Sequence, residues 1–221
     1  MYYQKLGGIS AIALAFTYVF GFILFFGILN IKDGLNELER LAFMLNNRDA
    51  FYIGYLVIGV LFSFLLMLLV QVLSRRFKQG LLQINHYASA VGYIWAACVL
   101  ISSLIFLTSL APIAKYNELD PQQALIIKQT ISIVVNALGG GVELVGAVWV
   151  LLISYLGLKL KVYHFSVHWL GIIIGVVGVL TLFSGLSFLS SIAFFDFATA
   201  VFGLGQIIWF LVLGVLMIKA N

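Results

Sequence analysis

The residue most able to do chemistry in this sequence is an acid inside a long apolar run. Glu143 lies about midway between Lys128 and Lys159, among Ile, Val, Leu, Ala and Gly. If that run crosses a bilayer, a charge near its centre costs about 2.5 to 3.5 kcal/mol on insertion scales, so Glu143 must face the interior of a helix bundle. No Lys or Arg stands at matching depth in another run. An unpartnered carboxyl there is expected to stay neutral until a cation or amine binds it, which makes it a proton acceptor and a ligand site.

Its neighbours sharpen the expectation. Asn136, Gly139, Gly140, Glu143, Gly146 and Ala147 recur at intervals of three and four, so they share one helical face. Gly171, Gly175, Gly178 and Gly185 form a matching strip further on, the first pair spaced as Gly-x-x-x-Gly. Two readings follow. In one, these faces form a packing seam and Glu143 makes a structural hydrogen bond. In the other, Gly139, Gly140 and Gly141 interrupt the helix and leave backbone groups free beside Glu143, as in the broken helices of transporters. Gln206, Trp209, Trp149 and Asn136 would then complete a polar pocket lined by aromatics.

The histidines are weaker candidates. His164 and His168 are four apart and can share a helical face, a spacing used by metal sites, while His86 stands in a different segment. All three fall near the predicted inner interface, with no acidic residue nearby. The metal and any cofactor are left unknown on this pattern. Cys98, the single cysteine, lies inside an apolar run and reads as packing. Trp95, Trp149 and Trp209 lie deep enough in their runs for an indole cluster, whereas Tyr52, Tyr55, Tyr87, Tyr155, Tyr163 and Trp169 lie near run ends, where aromatic belts form.

The elements that must position these side chains follow from composition. The 221 residues are 63% hydrophobic and 9% charged, with a mean hydropathy of +1.15. Soluble domains carry roughly 25% charged residues. Six apolar runs have about the 20 residues needed to cross about 30 Å of hydrocarbon: 6–29, 51–73, 88–111, 131–158, 165–189 and 197–218. The predicted fold is all-α, one polytopic bundle of six transmembrane helices over residues 1–221. The first run is too long for a signal-peptide core and reads as a retained anchor. A net charge of +4, scattered over loops, gives no basic block for nucleic acid.

Lys and Arg set the orientation. One side holds Lys5, Arg75, Arg76, Lys78, Lys159, Lys161 and Lys219 with no acidic residue. The other mixes Lys32, Arg40, Arg48, Lys115 and Lys128 with Asp33, Glu37, Glu39, Asp49, Glu118, Asp120 and Asp196. The first side is predicted cytoplasmic, with both termini there. Leu35, Leu38, Leu41, Ala42 and Leu45 predict a short helix along the outer interface between the first two spans, either a connector or a lid. Asp120 before Pro121 reads as a helix start. A helix from Pro121 to Leu158 would extend about 57 Å, so its first turns project outward or it bends at Gly139–Gly141.

Two stretches carry a resemblance. Residues 136–183, opening Asn136-Ala137-Leu138-Gly139-Gly140-Gly141-Val142-Glu143 and continuing through Trp169-Leu170-Gly171-Ile172, resemble an uncharacterised bacterial family of six-span membrane proteins. Phe202-Gly203-Leu204-Gly205-Gln206-Ile207-Ile208-Trp209 resembles it too. That family is a domain of unknown function, so the resemblance implies an architecture in a bacterial inner membrane and no activity. The leading expectation is a protein that binds or transports a small lipophilic or cationic molecule at Glu143. The alternatives are a structural or accessory subunit, as a homo-oligomer or within a larger membrane complex, and a metal-dependent membrane enzyme using the histidines.

Overall fold

The computed structural model describes residues 2–30, 34–78, 80–140, 144–188 and 194–220. Glu143 and Gly141 lie outside them. The described residues are helical throughout, with no strand. Helix α1 (Tyr2–Phe22) runs into a π-helical segment, Ile23–Ile28. A short α2 (Glu37–Asn46) is followed by α3 (Arg48–Tyr55), a second π segment (Leu56–Leu61) and α4 (Phe62–Arg76). Then come α5 (Leu82–Leu119), α6 (Pro121–Val135) with a third π segment (Asn136–Gly140), and α7 (Leu144–Leu160). Helix α8 (Phe165–Leu180) tightens into a 3-10 turn, Thr181–Gly185, and α9 (Phe194–Lys219) ends the fold.

Among the described residues, five helices are long and apolar enough to cross a membrane: Tyr3–Ile28, Arg48–Arg76, Leu82–Leu119, Phe165–Gly185 and Phe197–Lys219. Leu144–Leu160 is a further apolar helix, and its 17 described residues extend about 26 Å. Such helices imply a lipid bilayer around the protein, because only closed backbone hydrogen bonding is tolerated there.

The helices pack in a closed circuit. Helix α1 lies against α4 and α9, α4 against α5, α5 against α7, α7 against α8, and α8 against α9. Glycine sets how close some of these neighbours come. A Cβ on Gly8 would fall 2.7 Å from the Gly214 carbonyl oxygen, and one on Gly214 would fall 2.7 Å from that of Gly8. Backbone therefore meets backbone where α1 crosses α9, the close approach that small residues permit in membranes. On α8, Gly175 comes close to the Ala147 carbonyl oxygen, while Gly171 and Gly178 make room for the Ser154 and Phe202 side chains. Gly185, grouped with them by spacing, has nothing within 4 Å, because the chain has left α-helical geometry there.

One boundary differs from the sequence reading for an identifiable reason. Helix α5 continues through Pro112 to Leu119 instead of stopping at Ala111; proline in a membrane helix is tolerated because the freed groups find other partners. Along the long fourth segment α6 passes into the Asn136–Gly140 π segment, and α7 is described from Leu144 to Leu160. The start of the segment is as expected. Asp120 accepts from the Gln122 and Gln123 backbone N–H groups at 2.9 and 3.2 Å, with Pro121 in the first turn.

Helix α2 does more than connect. Its Asn36–Glu39 capping box is complete, and Leu41 and Met44 are buried in a second apolar cluster with Leu24, Phe51, Leu110, Ile113 and Ala124. Ala42, predicted to share that face, is exposed. Lys128 of α6 reaches Glu37 at 3.6 Å and ties the helix down.

Candidate functional site

Five helices each send an aromatic ring to the middle of the bundle. Tyr18 of α1 meets Phe62 of α4 at 5.5 Å between centroids, and Phe62 meets Trp95 of α5 at 5.5 Å. Trp95 meets Trp149 of α7 at 5.6 Å, Trp149 meets Trp209 of α9 at 5.9 Å, and Trp209 meets Phe210 at 5.2 Å. Phe210 closes the circuit onto Tyr18 at 6.4 Å. The indole cluster expected of Trp95, Trp149 and Trp209 is thus one arc of a closed aromatic ring. Tilted and edge-on pairs at such distances are the favoured geometries of aromatic quadrupoles.

Glycines make room for the indoles. A Cβ on Gly92 would lie 2.4 Å from Trp149 Nε1, and one on Gly146 2.7 Å from the Trp95 ring. One on Gly171 would lie 2.0 Å from Ser154 Oγ and 2.6 Å from Trp209 Nε1. The glycine faces and the indoles are therefore parts of one structure. The glycines admit the rings, and the rings pack edge to face between the helices.

The polar groups here are donors with little to donate to. The Tyr18 hydroxyl donates to Gln206 Oε1, which uses the amide's acceptor. Gln206 Nε2, Trp149 Nε1, Trp209 Nε1 and Ser154 Oγ are buried with no hydrogen-bond partner among the described residues. Gln206, Trp149 and Trp209 are each 0% exposed. A buried donor without an acceptor costs about 1 to 3 kcal/mol, so this centre favours an acceptor atom brought in from outside the described side chains.

Of the residues singled out by spacing, Gln206, Trp149 and Trp209 come together with Gly171. Asn136 does not join them; it is exposed on the third π segment, of which Gly139 and Gly140 form the end. Gly175 and Gly178 pack on α7 and α9 below it. Tyr18, Phe62 and Ser154 complete the centre and were not singled out. The available signal was Tyr18 itself, a phenol in the middle of an apolar run, whose hydroxyl needs a partner once buried.

The histidines are dispersed. His86 is exposed on α5. His164 caps α8 from outside the helix, its Nδ1 2.7 Å from Ser166 Oγ. His168 is buried, its Nε2–H donating to the Val162 carbonyl and its ring lying on Gly157. Capping and burial therefore use the two rings separately, and the shared face expected from their spacing does not form. No group of three His, Cys, Asp or Glu able to hold a metal occurs among the described residues.

The end of the bundle carrying Lys5, Arg75 and Lys159 is bound together by polar aromatics. Arg75 lies 4.7 Å over the Tyr3 ring, and the Gln4 amide donates to the Tyr163 hydroxyl at 3.3 Å. Burial pushes the Tyr163 phenol above its ordinary value, partly offset by the Arg76 charge. Asn85 donates to the Ser74 carbonyl at 2.8 Å, fixing the turn between α4 and α5.

No protein-family model, curated protein or solved structure matches this chain.

Proposed function

We propose that this chain is a six-span protein of a bacterial inner membrane that binds, and in doing so carries, a small lipophilic molecule at the centre of its bundle. The observation behind the reading is the set of buried donors, Trp149 Nε1, Trp209 Nε1, Gln206 Nε2 and Ser154 Oγ, without acceptors among the described residues. A ligand presenting an acceptor oxygen to these donors and a flat apolar body to the aromatic ring fits that chemistry. Glu143, three residues before Gly146 in the sequence, adds a carboxyl for an amine or other cation on the same molecule.

The sixth span in this reading is the fourth segment, α6 through α7, whose apolar α7 supplies most of the crossing. The end rich in Lys and Arg, with both termini, is the cytoplasmic one, by the bias of basic residues. This architecture accords with the uncharacterised six-span family that the Asn136 and Phe202 stretches resemble. π-helical segments interrupt helices at functional sites in many proteins, and the Asn136–Gly140 segment immediately precedes the stretch bearing Glu143.

A second reading has its own observation. The α1–α9 seam and the α8 glycine strip are packed backbone to neighbour, as expected of a structural or accessory subunit. Ligand-dependent stability separates the two. A screen of lipophilic amines carrying a carbonyl or ether oxygen should raise the unfolding temperature of the wild-type chain, and Gln206→Leu and Glu143→Gln should each reduce the rise. A screen that shifts none of the three supports the structural subunit.

A further inference from the structure

A second site is available away from the bundle centre, where α3 meets the far end of α5. Two crevices open there. One of about 300 Å³ lies between Arg48, Asp49 and Tyr52 of α3 and Leu107 and Leu110 of α5. The other, about 520 Å³, climbs α5 past Pro112 to Lys115 and Tyr116. Ala111 lines both, so they meet.

The chemistry is graded along the groove. Leu107, Leu110 and Ala111 form its lower part. Arg48, Asp49, Lys115 and Tyr116 stand exposed toward its upper part. The ion pairs among the described residues join Arg40 and Lys128 to Glu37, so Arg48, Asp49 and Lys115 keep their charges available.

From this we infer that the groove is a binding site for a membrane phospholipid with an amine headgroup. Its phosphate lies between Arg48 and Lys115, its ammonium group is taken by Asp49, and an acyl chain runs down over the exposed Ala111 and Tyr52, above the buried Leu107 and Leu110. Charge complementarity selects this occupant. Two cations match the phosphate, one carboxylate matches the amine, and the apolar part of the groove lies on the side toward the bundle middle, where acyl chains are. The basic groups sit where a span emerges from hydrocarbon, the depth of headgroups.

The test uses the full chain in dodecylmaltoside micelles titrated with dioleoylphosphatidylethanolamine, occupancy being read by native mass spectrometry. The expected result is one lipid per chain, bound at least tenfold more tightly than dioleoylglycerol, which has the same tails and no phosphate. Arg48→Gln with Lys115→Gln should abolish that preference, and Ala111→Trp, which fills the groove without touching a charge, should lower occupancy at least fivefold. Asp49→Asn should remove the preference over dioleoylphosphatidylglycerol. Lys5→Gln with Lys219→Gln, at the opposite end, should change nothing. Equal binding of dioleoylglycerol to the wild-type chain overturns the proposal, as does full preference in the double variant or in Ala111→Trp. The wild-type lipid series decides the matter even if a variant fails to fold.

Discussion

The packing around Trp149 and the packing around Leu41 are built from different parts. Around Trp149, rings from five helices interlock, glycines on α5, α7 and α8 admit them, and polar donors are enclosed. Around Leu41, a ten-residue helix lies over the ends of α1, α3, α5 and α6, held by a capping box and one ion pair to Lys128. Helices α8 and α9 contribute no buried residue to that second cluster. The first region is shared by the whole circuit and cannot loosen without separating helices. The second rests on one short element, α2, packed over residues from four other segments.

Breaking the first region should cost most. Trp149→Ala removes a wholly buried indole touching Trp95 and Trp209, and a loss of about 3 to 4 kcal/mol is expected, toward the low end for buried Trp→Ala. The value is low because the unfolded reference in a membrane is solvated by lipid as apolar as the core, leaving the cavity term dominant. Titration with dodecyl sulfate against helical circular dichroism measures it. Gly8→Val follows at about 2 to 3 kcal/mol by overpacking, since its Cβ would meet the Gly214 carbonyl oxygen, and that backbone cannot yield as the Ile218 side chain beside it can.

The second region should respond locally. Leu41→Ala is expected to cost about 2 kcal/mol, seen as faster hydrogen exchange in α2 while α7 to α9 keep their protection. Glu37→Gln, which breaks an ion pair whose carboxylate is 53% exposed, should change stability by less than about 1 kcal/mol. Equal exchange throughout the chain in Leu41→Ala would remove the distinction between the regions.

The smallest effect is a pH response at the basic end. The Tyr163 pKa is raised by burial, so the folded chain holds the phenolic proton more tightly than the unfolded one. Its contribution is complete below the ordinary tyrosine value and is lost as pH rises through the folded value. Unfolding midpoints should therefore fall above about pH 10, and fall less in Tyr163→Phe.

Hydropathy made the helices legible, because a bilayer leaves backbone few alternatives. Asp120 with Pro121 marked the α6 start, since cap and first turn are local. The indole cluster and the α8 glycines were legible from depth and spacing. Three things were not. The third apolar run ends at Ala111, yet α5 continues through Pro112 to Leu119. Asn136 shares a helical face with Gly139 in an ideal helix, but a π segment rotates that face, and its side chain is exposed. Tyr18 and Gln206 stand 188 residues apart, and no local pattern announces a pair closed by the packing of α1 on α9.

The central claim, a donor-lined ligand site in the bundle centre, is tested most directly by ligand-dependent unfolding of the wild-type, Gln206→Leu and Glu143→Gln chains. With an aminoamide such as lidocaine near 100 times its Kd, binding adds about 2.7 kcal/mol, which at this chain length raises the unfolding temperature by roughly 5 to 10 °C. The account predicts that rise for an oxygen-bearing lipophilic amine in the wild-type chain, and at least a halving of it in each variant. A rise that is the same in all three would contradict it.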